Sequence, residues 1–477
     1  MSCAIVWFRG DLRLADNPAL SAACAEHSQV LPLYIHSPQE AAPWRPGAAS
    51  RWWLHHSLAA LNERFHAKGG SLHIRHGDAL SVLRQLAQAT RAEAVYWNRQ
   101  YEPAAIARDT RIKEALRLEG IHVHSKPGNL WREPWQVATK VGEPYRVFTP
   151  FWRSLRTDLD GSPPLPVAQA AQWLRLDGGL PLSALELLPR IRWDTGFGQL
   201  WKPGESGANE LLEVFCDDAL SSYAKARDLP ARHGTSRLSP HLHFGEITPR
   251  QIRAALLRHA DRRDSRNRPD PEPYLRELGW REFAHHLLYH FPTSTQEDFN
   301  PNFAGLRWAE IGEDQLARWQ SGRTGVPLVD AGMRELWHTG WMHNRVRMVA
   351  ASFLTKNLRV HWQSGARWFW DTLVDADLAN NTLGWQWVAG TGADAAPYFR
   401  IFNPVTQSQK FDPDGVYLRR WLPELADVPT RVLHEPWADP ACLRRTGYPS
   451  PMVDLAASRQ AALAAYSELR RVREVPD

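Results

Sequence analysis

The stretch 367–400 holds the densest group of residues in this chain that could do chemistry. It contains four tryptophans, four aspartates and an Asn-Asn pair, a mixture that is costly to bury unless each polar group is hydrogen-bonded. If the segment around Trp385 is helical, side chains two residues apart point about 200° away from each other. Trp385 and Trp387 would then face different surroundings, so that one indole could touch a cofactor while the other touches a substrate.

A second group of candidates lies on the helix predicted to begin at Asn344. Asn344, Arg345 and Met348 fall on one side of it, at helical intervals of three and four residues. Arg347 lies two residues from Arg345 and points elsewhere, so the two guanidinium groups should serve different purposes. The pattern alone is also typical of an exposed basic face.

Glu277, Trp280 and Arg281 share a helical face by the same spacing rule. A tryptophan flanked by Glu and Arg is typical of a half-exposed packing residue. The functional alternative is an indole surface that stacks on an aromatic ligand, with charged groups beside it.

The segment Gly234–Pro240 combines hydroxyls, backbone amides and a guanidinium group just before a helix that starts with proline. Helix N-termini and oriented amides stabilise anions, so this segment could cradle a pyrophosphate group. Thr and Ser before a helix are also ordinary capping residues, and the sequence leaves both interpretations open.

Clustered histidines do not indicate a metal centre here. The chain has 20 histidines, and those that cluster have no Cys or carboxylate at the spacing of a metal site. These histidines are His241, His243, His285, His286 and His290. We also find no candidate general acid, general base or nucleophile, and we predict no bound metal.

The elements that must position these residues form two kinds of pattern. Over residues 1–126, short apolar runs alternate with helical stretches, which predicts a Rossmann-like α/β domain with a parallel sheet. The predicted strands are Cys3–Phe8, Val30–Ile35, Leu72–Arg75, Ala94–Trp97 and Ile121–Val123, and the helices are Pro18–Ala25, Arg51–Ala67, Ala79–Ala89 and Ala104–Leu118. No GxGxxG motif follows the first strand, so this domain should not hold a dinucleotide in the usual Rossmann manner.

The rest of the chain divides into a connector and a helical domain. Residues 127–200 are rich in Pro and Gly and predict an interdomain connector. From 201 to 477 helical periodicity dominates, and we predict a larger all-α domain. Its predicted helices are Asn209–Leu220, Thr248–His259, Tyr274–His290, Asp330–Thr339, Asn344–Asn357 and Arg367–Leu373, and a capping box is expected at Thr248–Gln251.

Composition narrows the class of partner and the compartment. The formal net charge of +5 favours a polyanionic partner. The four cysteines are widely scattered, which suits a reducing cytoplasm. We find no apolar leader and no apolar run of membrane-spanning length, so we expect a cytoplasmic protein without a membrane segment. We expect it to be a monomer.

Four motifs carry a family resemblance: VWFRGDLRLADNPAL (6–20), TSRLSPHLHFGEI (235–247), DADLANNTLGWQW (375–387) and APYFRIFNPVTQSQKFDPDGVYLRRWLPEL (396–425). In this order they resemble the DNA photolyase and cryptochrome family over nearly the whole chain, most closely the class I cyclobutane pyrimidine dimer photolyases. The resemblance implies a helical domain that binds FAD and damaged DNA.

The resemblance also implies which residues bind FAD. Tyr223 and the segment 235–239 would hold the phosphates, Arg347 would pair with Asp375 beside the flavin, and the neutral amide of Asn381 would face flavin N5. The full set matched to cofactor contacts is Tyr223, Thr235, Ser236, Arg237, Leu238, Ser239, Tyr274, Arg281, Arg347, Asp375, Asp377 and Asn381. The alternative for Asn381 is an ordinary helix cap.

Lesion and DNA contacts follow from the same matching. Two indoles, Trp280 and Trp387, would hold an extruded pyrimidine pair by stacking, each contributing about 1–3 kcal/mol. The full set matched to the lesion or to DNA is Arg227, Glu277, Trp280, Asn344, Arg345, Met348, Trp387, Arg400, Gln407 and Lys410. A solvated charge is the alternative for each basic residue taken singly.

Three tryptophans match the family's electron-transfer residues. Trp385 would lie next to the flavin, Trp362 in the middle and Trp308 at the surface, and together they would reduce the flavin under light. Because the chain has 23 tryptophans, most of them must be structural.

The implied activity is light-dependent DNA repair, in which an electron from reduced FAD splits a cyclobutane pyrimidine dimer. The partner would be UV-damaged DNA. A (6-4) photolyase would be expected to carry histidines near His343, where this chain has Asn344 and Met348. A cryptochrome-like light-signalling protein is the non-enzyme alternative, and Asn381 argues against it because plant cryptochromes usually carry Asp there.

The resemblance leaves the antenna chromophore open. Folate-binding relatives have an Asn-Glu pair shortly after a Tyr-Glu dipeptide, whereas this chain continues Tyr101-Glu102-Pro103-Ala104-Ala105. That departure argues against methenyltetrahydrofolate. A deazaflavin antenna and the absence of any antenna are both compatible with these residues.

Overall fold

The chain folds into two compact units. The structure is a computed structural model that describes residues 2–157, 159, 162–262 and 268–474. The first unit comprises Met1–Ser221 and Ser236–Pro292, and the second comprises Ser222–Thr235 and Thr293–Asp477. The first unit contains strands β1 (Cys3–Phe8), β2 (Gln29–His36), β3 (His73–His76), β4 (Ala94–Asn98), β5 (His122–Lys126) and β6 (Gln172–Trp173).

Helices occur in both units. In chain order they are α1 (Pro18–Glu26), α2 (Ala48–His66), α3 (Ala79–Thr90), α4 (Pro103–Leu118), α5 (Phe148–Thr157), α6 (Phe197–Leu200), α7 (Glu205–Val214), α8 (Tyr223–Ala226), α9 (Ser239–His243), α10 (Pro249–Asp261), α11 (Glu272–His290), α12 (Glu313–Gln320), α13 (Pro327–Thr339), α14 (Asn344–Ser352), α15 (Trp362–Thr372), α16 (Leu378–Ala389), α17 (Pro404–Phe411), α18 (Val416–Trp421), α19 (Thr430–Leu433), α20 (Pro440–Thr446) and α21 (Leu455–Glu474).

The first unit is built on a parallel sheet in the order β3-β2-β1-β4-β5. Ala4 in β1 pairs with Val30 of β2 on one side and with Ala94 of β4 on the other. The apolar strand runs are buried because helices cover a parallel sheet on its faces. The predicted α/β sheet is therefore confirmed. β6, which lies in the segment predicted as a connector, pairs with the start of β2.

Arg13, in the loop between β1 and α1, ties several segments of the first unit together. Its guanidinium group is fully buried and donates to the backbone oxygens of Asp16, Gly128 and Gly245 at 2.8–3.1 Å. It also donates to Asn129 Oδ1 at 2.8 Å. Since buried carbonyl groups need partners, this one side chain satisfies loops that are more than a hundred residues apart in the chain.

Arg13→Met should destabilise the protein strongly. The change removes the charge and leaves several buried carbonyl groups without a donor, and we expect the free energy of unfolding to fall by about 3–5 kcal/mol. Urea unfolding of the purified variant measures this. Arg153→Met, at an exposed position of α5, is the matched control and should change stability by less than ~0.5 kcal/mol. Equal midpoints for the two variants would contradict the role given to Arg13.

The second unit is helical around a core that includes Trp319, Trp362 and Tyr417, each fully buried. α14 continues into a π-helical turn, Phe353–Asn357. Within this turn Lys356 is fully buried; its Nζ donates to the last carbonyl of α16, that of Ala389, at 2.6 Å. The same Nζ lies 3.3 Å from the ring centroid of Tyr398. A cation is favourable at a helix C-terminus, although burial lowers the pKa of this ammonium group far below its ordinary value.

Most predicted elements are present with shifted ends. The capping box of α10 is formed by Thr248 and Gln251 as expected. Two predicted helices are shorter than their apolar patterns, because α7 and α14 both give way to π-helical turns. The proposed domain boundaries, 1–126, 127–200 and 201–477, stay a prediction. The compact units divide the chain elsewhere, since residues 236–292 group with the sheet.

Among the described residues, no helix combines the length and the apolar character needed to cross a lipid bilayer.

Candidate functional site

Arg347 and Asp375 form an ion pair in the second unit. Arg347 Nη2 donates to both carboxylate oxygens of Asp375 at 2.8 and 3.1 Å, and its Nε donates to the Met342 carbonyl at 2.7 Å. The Asp375 side chain is only 3% exposed, so the pairing compensates a buried charge. The pairing that the family resemblance implies is present, and it joins α14 to the segment just before α16.

Arg345 takes a different direction from Arg347, as the spacing predicted. Its Nη2 donates to Asp228 at 2.8 Å, and its guanidinium carbon lies 4.5 Å from the ring centroid of Phe411 at the end of α17. Asn344 is exposed and Met348 is half-buried. α14 therefore presents one guanidinium group to Asp375 and the other to a partly exposed surface.

Arg347→Ala should destabilise the second unit, because it leaves the Asp375 carboxylate buried without its cation. We expect a loss of about 3–5 kcal/mol of unfolding free energy. The double variant Arg347→Ala, Asp375→Asn should recover part of this loss, since it removes the orphaned charge as well. Chemical unfolding of the parent, Arg347→Ala, Asp375→Asn and the double variant provides the test. A double variant less stable than the sum of the two single changes would contradict the pairing.

The N-terminus of α16 is capped by Asp377, not by Asn381. Asp377 Oδ1 accepts hydrogen bonds from the backbone N–H of Asn380 at 2.9 Å and from its side-chain amide at 2.6 Å. Asn381 lies one turn further on, is buried, and donates from Nδ2 to the Ala366 carbonyl at 3.0 Å. The capping alternative for Asn381 is therefore excluded, and α16 places a neutral amide inside the second unit.

Trp385 is buried against α15. A Cβ atom added at Gly365 would lie 2.0 Å from Cη2 of Trp385, so the glycine leaves room for the indole. The ring of Phe369 lies edge-on at 4.9 Å between centroids. Trp387 is half-buried, so the two indoles of α16 differ in exposure, as the sequence argument expected.

Gly365→Ala should displace the Trp385 ring and cost about 1–3 kcal/mol of stability, although alanine is otherwise preferred to glycine in a helix by ~1 kcal/mol. Gly384→Ala is the matched control, because that glycine lies in a helix with open space around an added Cβ. The control should be neutral or stabilising. Urea unfolding of both variants tests this, and an unchanged midpoint for Gly365→Ala would show that the contact is not tight.

The rings of Trp362 and Trp308 both contact the ring of His361. The ring of His361 is 5.0 Å from Trp308 and 5.6 Å from Trp362, between centroids. Trp362 is fully buried and Trp308 is half-buried. Trp362 lies one helical turn before Gly365, on the same face of α15. The structure thus brings the three predicted tryptophans close together in the second unit.

The segment 294–299 is hydrogen-bonded to Trp362 of α15 and to Gln386 of α16. Sequence reasoning did not predict these contacts. The Gln386 side chain donates to the carbonyls of Ser294 and Glu297 at 2.6 and 2.9 Å, and accepts from the Phe299 N–H at 2.8 Å. Asp298 in this segment accepts the indole N–H of Trp362 at 2.8 Å. The WQW triplet offered a signal, since a buried glutamine between two tryptophans needs several partners.

In the first unit, Trp280 stacks on Phe148. The ring centroids are 3.7 Å apart and the planes differ by 10°, while Trp280 stays half-exposed. Phe148 was missed, although its spacing to Trp152 in α5 indicated an aromatic face. Both interpretations of Trp280 survive, because it packs on Phe148 and also presents a surface. Glu277 is half-buried on the same helix.

Arg281 and Glu282 attach this helix to the segment 129–132. Arg281 Nη1 donates to the Asn129 carbonyl at 2.8 Å, and Glu282 Oε2 accepts from the Trp131 N–H at 2.9 Å. Burial raises the pKa of the Glu282 carboxyl to about 7. Arg281 was predicted to contact the cofactor, and that stays a prediction. In the structure it donates to the Asn129 carbonyl and lies 3.6 Å from the Glu282 carboxylate.

The predicted phosphate cradle is partly rigid. Ser236 Oγ and the Tyr274 hydroxyl are 2.7 Å apart and both residues are buried. Arg237 has a left-handed backbone with φ of 53°, which is uncommon for a residue other than glycine and occurs at functional sites. Ser239 starts α9 and is exposed, whereas Leu238 is fully buried. Because α9 has only five residues, its dipole can supply less than the full N-terminal charge.

The upstream part of the cradle lies in the second unit. A Cβ atom at Gly234 would lie 2.5 Å from the Ala226 carbonyl oxygen, so glycine permits a close approach to α8. Tyr223 is buried at the start of α8, and the Arg227 guanidinium lies 5.6 Å from its ring. Thr235 is half-buried.

The remaining candidates form an exposed surface. Lys410 is exposed and its Nζ lies 5.1 Å from the Phe411 ring, the same ring that Arg345 covers. Gln407 is half-buried one turn earlier, and Arg400 is exposed after Phe399, which is 62% exposed. A ring with two cations beside it suits a negatively charged partner that carries aromatic groups.

The chemical types of the predicted contact groups suit a cofactor that carries phosphates and an aromatic ring. The hydroxyl of Ser239 and the guanidinium of Arg237 suit phosphates. The buried amide of Asn381 and the compensated Arg347–Asp375 pair suit the polar edge of a flavin ring. These groups are distributed over both units, with Ser236–Ser239, Tyr274 and Arg281 in the first and the others in the second.

Two family models match the chain. Residues 4–170 match the model described as DNA photolyase, and residues 274–468 match the model described as FAD binding domain of DNA photolyase. Sequence and fold therefore define a flavoprotein of the photolyase type.

Three similar proteins extend these matches over the whole length. A deoxyribodipyrimidine photo-lyase of Agrobacterium fabrum is 45% identical, with 98% of each chain covered. Cryptochrome-2 of Arabidopsis thaliana is 38% identical over 98% of this chain and 79% of its own length. The crystal structure of a class III photolyase from Agrobacterium tumefaciens is 44% identical, with a TM-score of 0.93 and coverage of 99% of this chain and 98% of that one. The protein belongs to the photolyase/cryptochrome family.

Proposed function

We propose that the protein repairs cyclobutane pyrimidine dimers in DNA under light, using reduced FAD as the electron donor. The observation that carries the proposal is the pair of indoles on α16. Trp385 is buried against Gly365 of α15, the helix that begins at Trp362, and the ring of His361 contacts both Trp362 and Trp308. Trp387 is half-buried two residues later in α16. One helix thus supplies a residue suited to carry electrons and a residue suited to stack on a base.

The residues would divide the work as follows. Arg237, Ser236 and Ser239 hold the cofactor phosphates, and Asn381 faces the flavin ring without adding a negative charge. FAD in its reduced form supplies the photo-excited electron that splits the cyclobutane ring. Trp280, supported by Phe148, and Trp387 stack on the flipped pyrimidines. Lys410 and Arg400 neutralise backbone phosphates. Arg345, which is paired with Asp228, meets the lesion together with Asn344 and Met348.

In this reaction the protein has to position the cofactor and the lesion, exclude water from them and provide a suitable electrostatic environment. Ring splitting in this scheme is an electron transfer out and back, so it needs no general acid or nucleophile. The residues named for the site supply aromatic rings, such as Trp385 and Phe369, and the neutral amide of Asn381. The charge of Asp375 is compensated by Arg347.

Two finer assignments remain proposals. Asn344 and Met348 favour the cyclobutane lesion over the (6-4) lesion. The class I assignment made from the sequence stays a prediction, because the solved structure with 44% identity is that of a class III photolyase. An antenna chromophore, a monomeric state and a cytoplasmic location are likewise expectations. The alternative is a light-signalling role, which the 38% identity to Cryptochrome-2 supports.

The test is illumination of the chemically reduced protein with DNA that carries one defined lesion. We expect thymine recovery from the cyclobutane dimer and none from the (6-4) product. Trp385→Phe should slow photoreduction of the oxidised protein while the pre-reduced variant repairs at a rate within about twofold of the parent.

A reversed preference between the two lesions would overturn the lesion assignment. Recovery from neither, despite tight flavin loading, would favour signalling. Equal loss of photoreduction and of pre-reduced repair would show that Trp385 has another role.

A further inference from the structure

Trp362 and Trp319 donate their indole N–H groups to different kinds of acceptor. The Trp362 ring is fully buried, and Nε1 donates to the carboxylate of Asp298 at 2.8 Å. Trp319, also fully buried in the same core, donates instead to the backbone carbonyl of Ala350 at 3.2 Å. A carboxylate can accept a proton completely, whereas an amide carbonyl cannot.

The position of Asp298 is fixed from both sides. Gln386 of α16 hydrogen-bonds to Ser294, Glu297 and Phe299, which bracket the aspartate. Gln363 of α15, next to Trp362, donates to the Gln296 carbonyl at 2.5 Å. The two helices that carry the tryptophans therefore hold the same short segment, and the backbone around Asp298 cannot shift without breaking these bonds.

We propose that Asp298 accepts the indole proton of Trp362 when that ring is oxidised, so that the electron hole on Trp362 is held as a neutral radical. The inference rests on the proposed function, because it assumes light-driven electron flow through Trp385. An oxidised indole is a far stronger acid than a neutral one, and an anion at hydrogen-bonding distance favours its formation.

The surroundings of Trp362 agree with a hole that pauses there. The other ring beside it, His361, has Nδ1 accepting from the Gln363 N–H at 3.3 Å, which leaves the proton on Nε2 of the neutral form. Burial lowers the pKa of His361, against the attraction of Asp298. The lowered pKa and the acceptor role of Nδ1 both favour the neutral ring of His361, and Asp298 places a carboxylate at the Trp362 indole.

The step balances as follows. One electron leaves the Trp362 indole for oxidised Trp385, which has passed its own electron toward the flavin. The N–H bond of Trp362 breaks and an O–H bond forms on Asp298, which leaves a neutral indolyl radical beside a carboxylic acid. When Trp308 returns an electron, the proton moves back from Asp298. An external thiolate re-reduces Trp308 and becomes a thiyl radical that ends as a disulfide.

Time-resolved absorption of the protein loaded with oxidised FAD tests the proposal, because the cation and the neutral radical of tryptophan have different visible spectra. In a Trp308→Phe background the hole stops at Trp362, and we expect the neutral radical. In Trp308→Phe, Asp298→Asn the cation should persist about tenfold longer, corresponding to about one pKa unit of lost driving force. Asp371→Asn, at an exposed position of α15, should leave the spectra unchanged.

A persistent cation in Trp308→Phe itself, with Asp298 intact, would overturn the proposal without relying on any variant at 298. Identical kinetics with Asn at 298 would overturn it as well. Repair by the chemically reduced protein separates the two hypotheses: we expect Asp298→Asn to repair as the parent does. If neither repairs but the radical spectra behave as expected, the proposed repair activity fails and the role of Asp298 stands.

Discussion

The ion pair between Arg347 and Asp375 is the constraint on which the candidate site in the second unit depends. It joins α14, which carries Asn344, Arg345 and Met348, to the segment that leads into α16. Because a buried carboxylate without its cation is costly, the ion pair keeps α14 next to the start of α16. The ion pair therefore helps to set the position of α16 and of the residues on it, from the cap at Asp377 to the half-buried Trp387.

Close packing and hydrogen bonds fix α16 further along its length. Trp385 lies where only glycine at position 365 permits it, and Gln386 binds the segment 294–299 with three hydrogen bonds. At the other end of α16, Lys356 donates to the Ala389 carbonyl. α16 is thus fixed at its start, its middle and its end. Under the proposed function, electron transfer by Trp385 and stacking by Trp387 both depend on distance and orientation, so a helix held at three places suits both roles.

The sequence predicted the elements well and the partners poorly. The five strands of residues 1–126, the capping box of α10 and the opposite directions of Arg345 and Arg347 all follow from local periodicity, and the structure shows each of them. The pairing of Arg347 with Asp375 came from the family resemblance. What escaped prediction is a set of partners: Phe148 against Trp280, Phe411 beneath Arg345, and Asp298 at Trp362. Each of these contacts joins residues far apart in the chain.

By itself the sequence determined which residues share a helical face, where strands and helices alternate, and to which family the motifs belong, because these depend on neighbours within a few residues. Only the tertiary structure decided that Asn381 is a buried amide and not a cap, that Arg281 holds the Asn129 carbonyl, and that an aspartate meets the indole of Trp362. The physical reason is that a hydrogen-bond partner or a packing surface is chosen by three-dimensional proximity, which local periodicity does not encode.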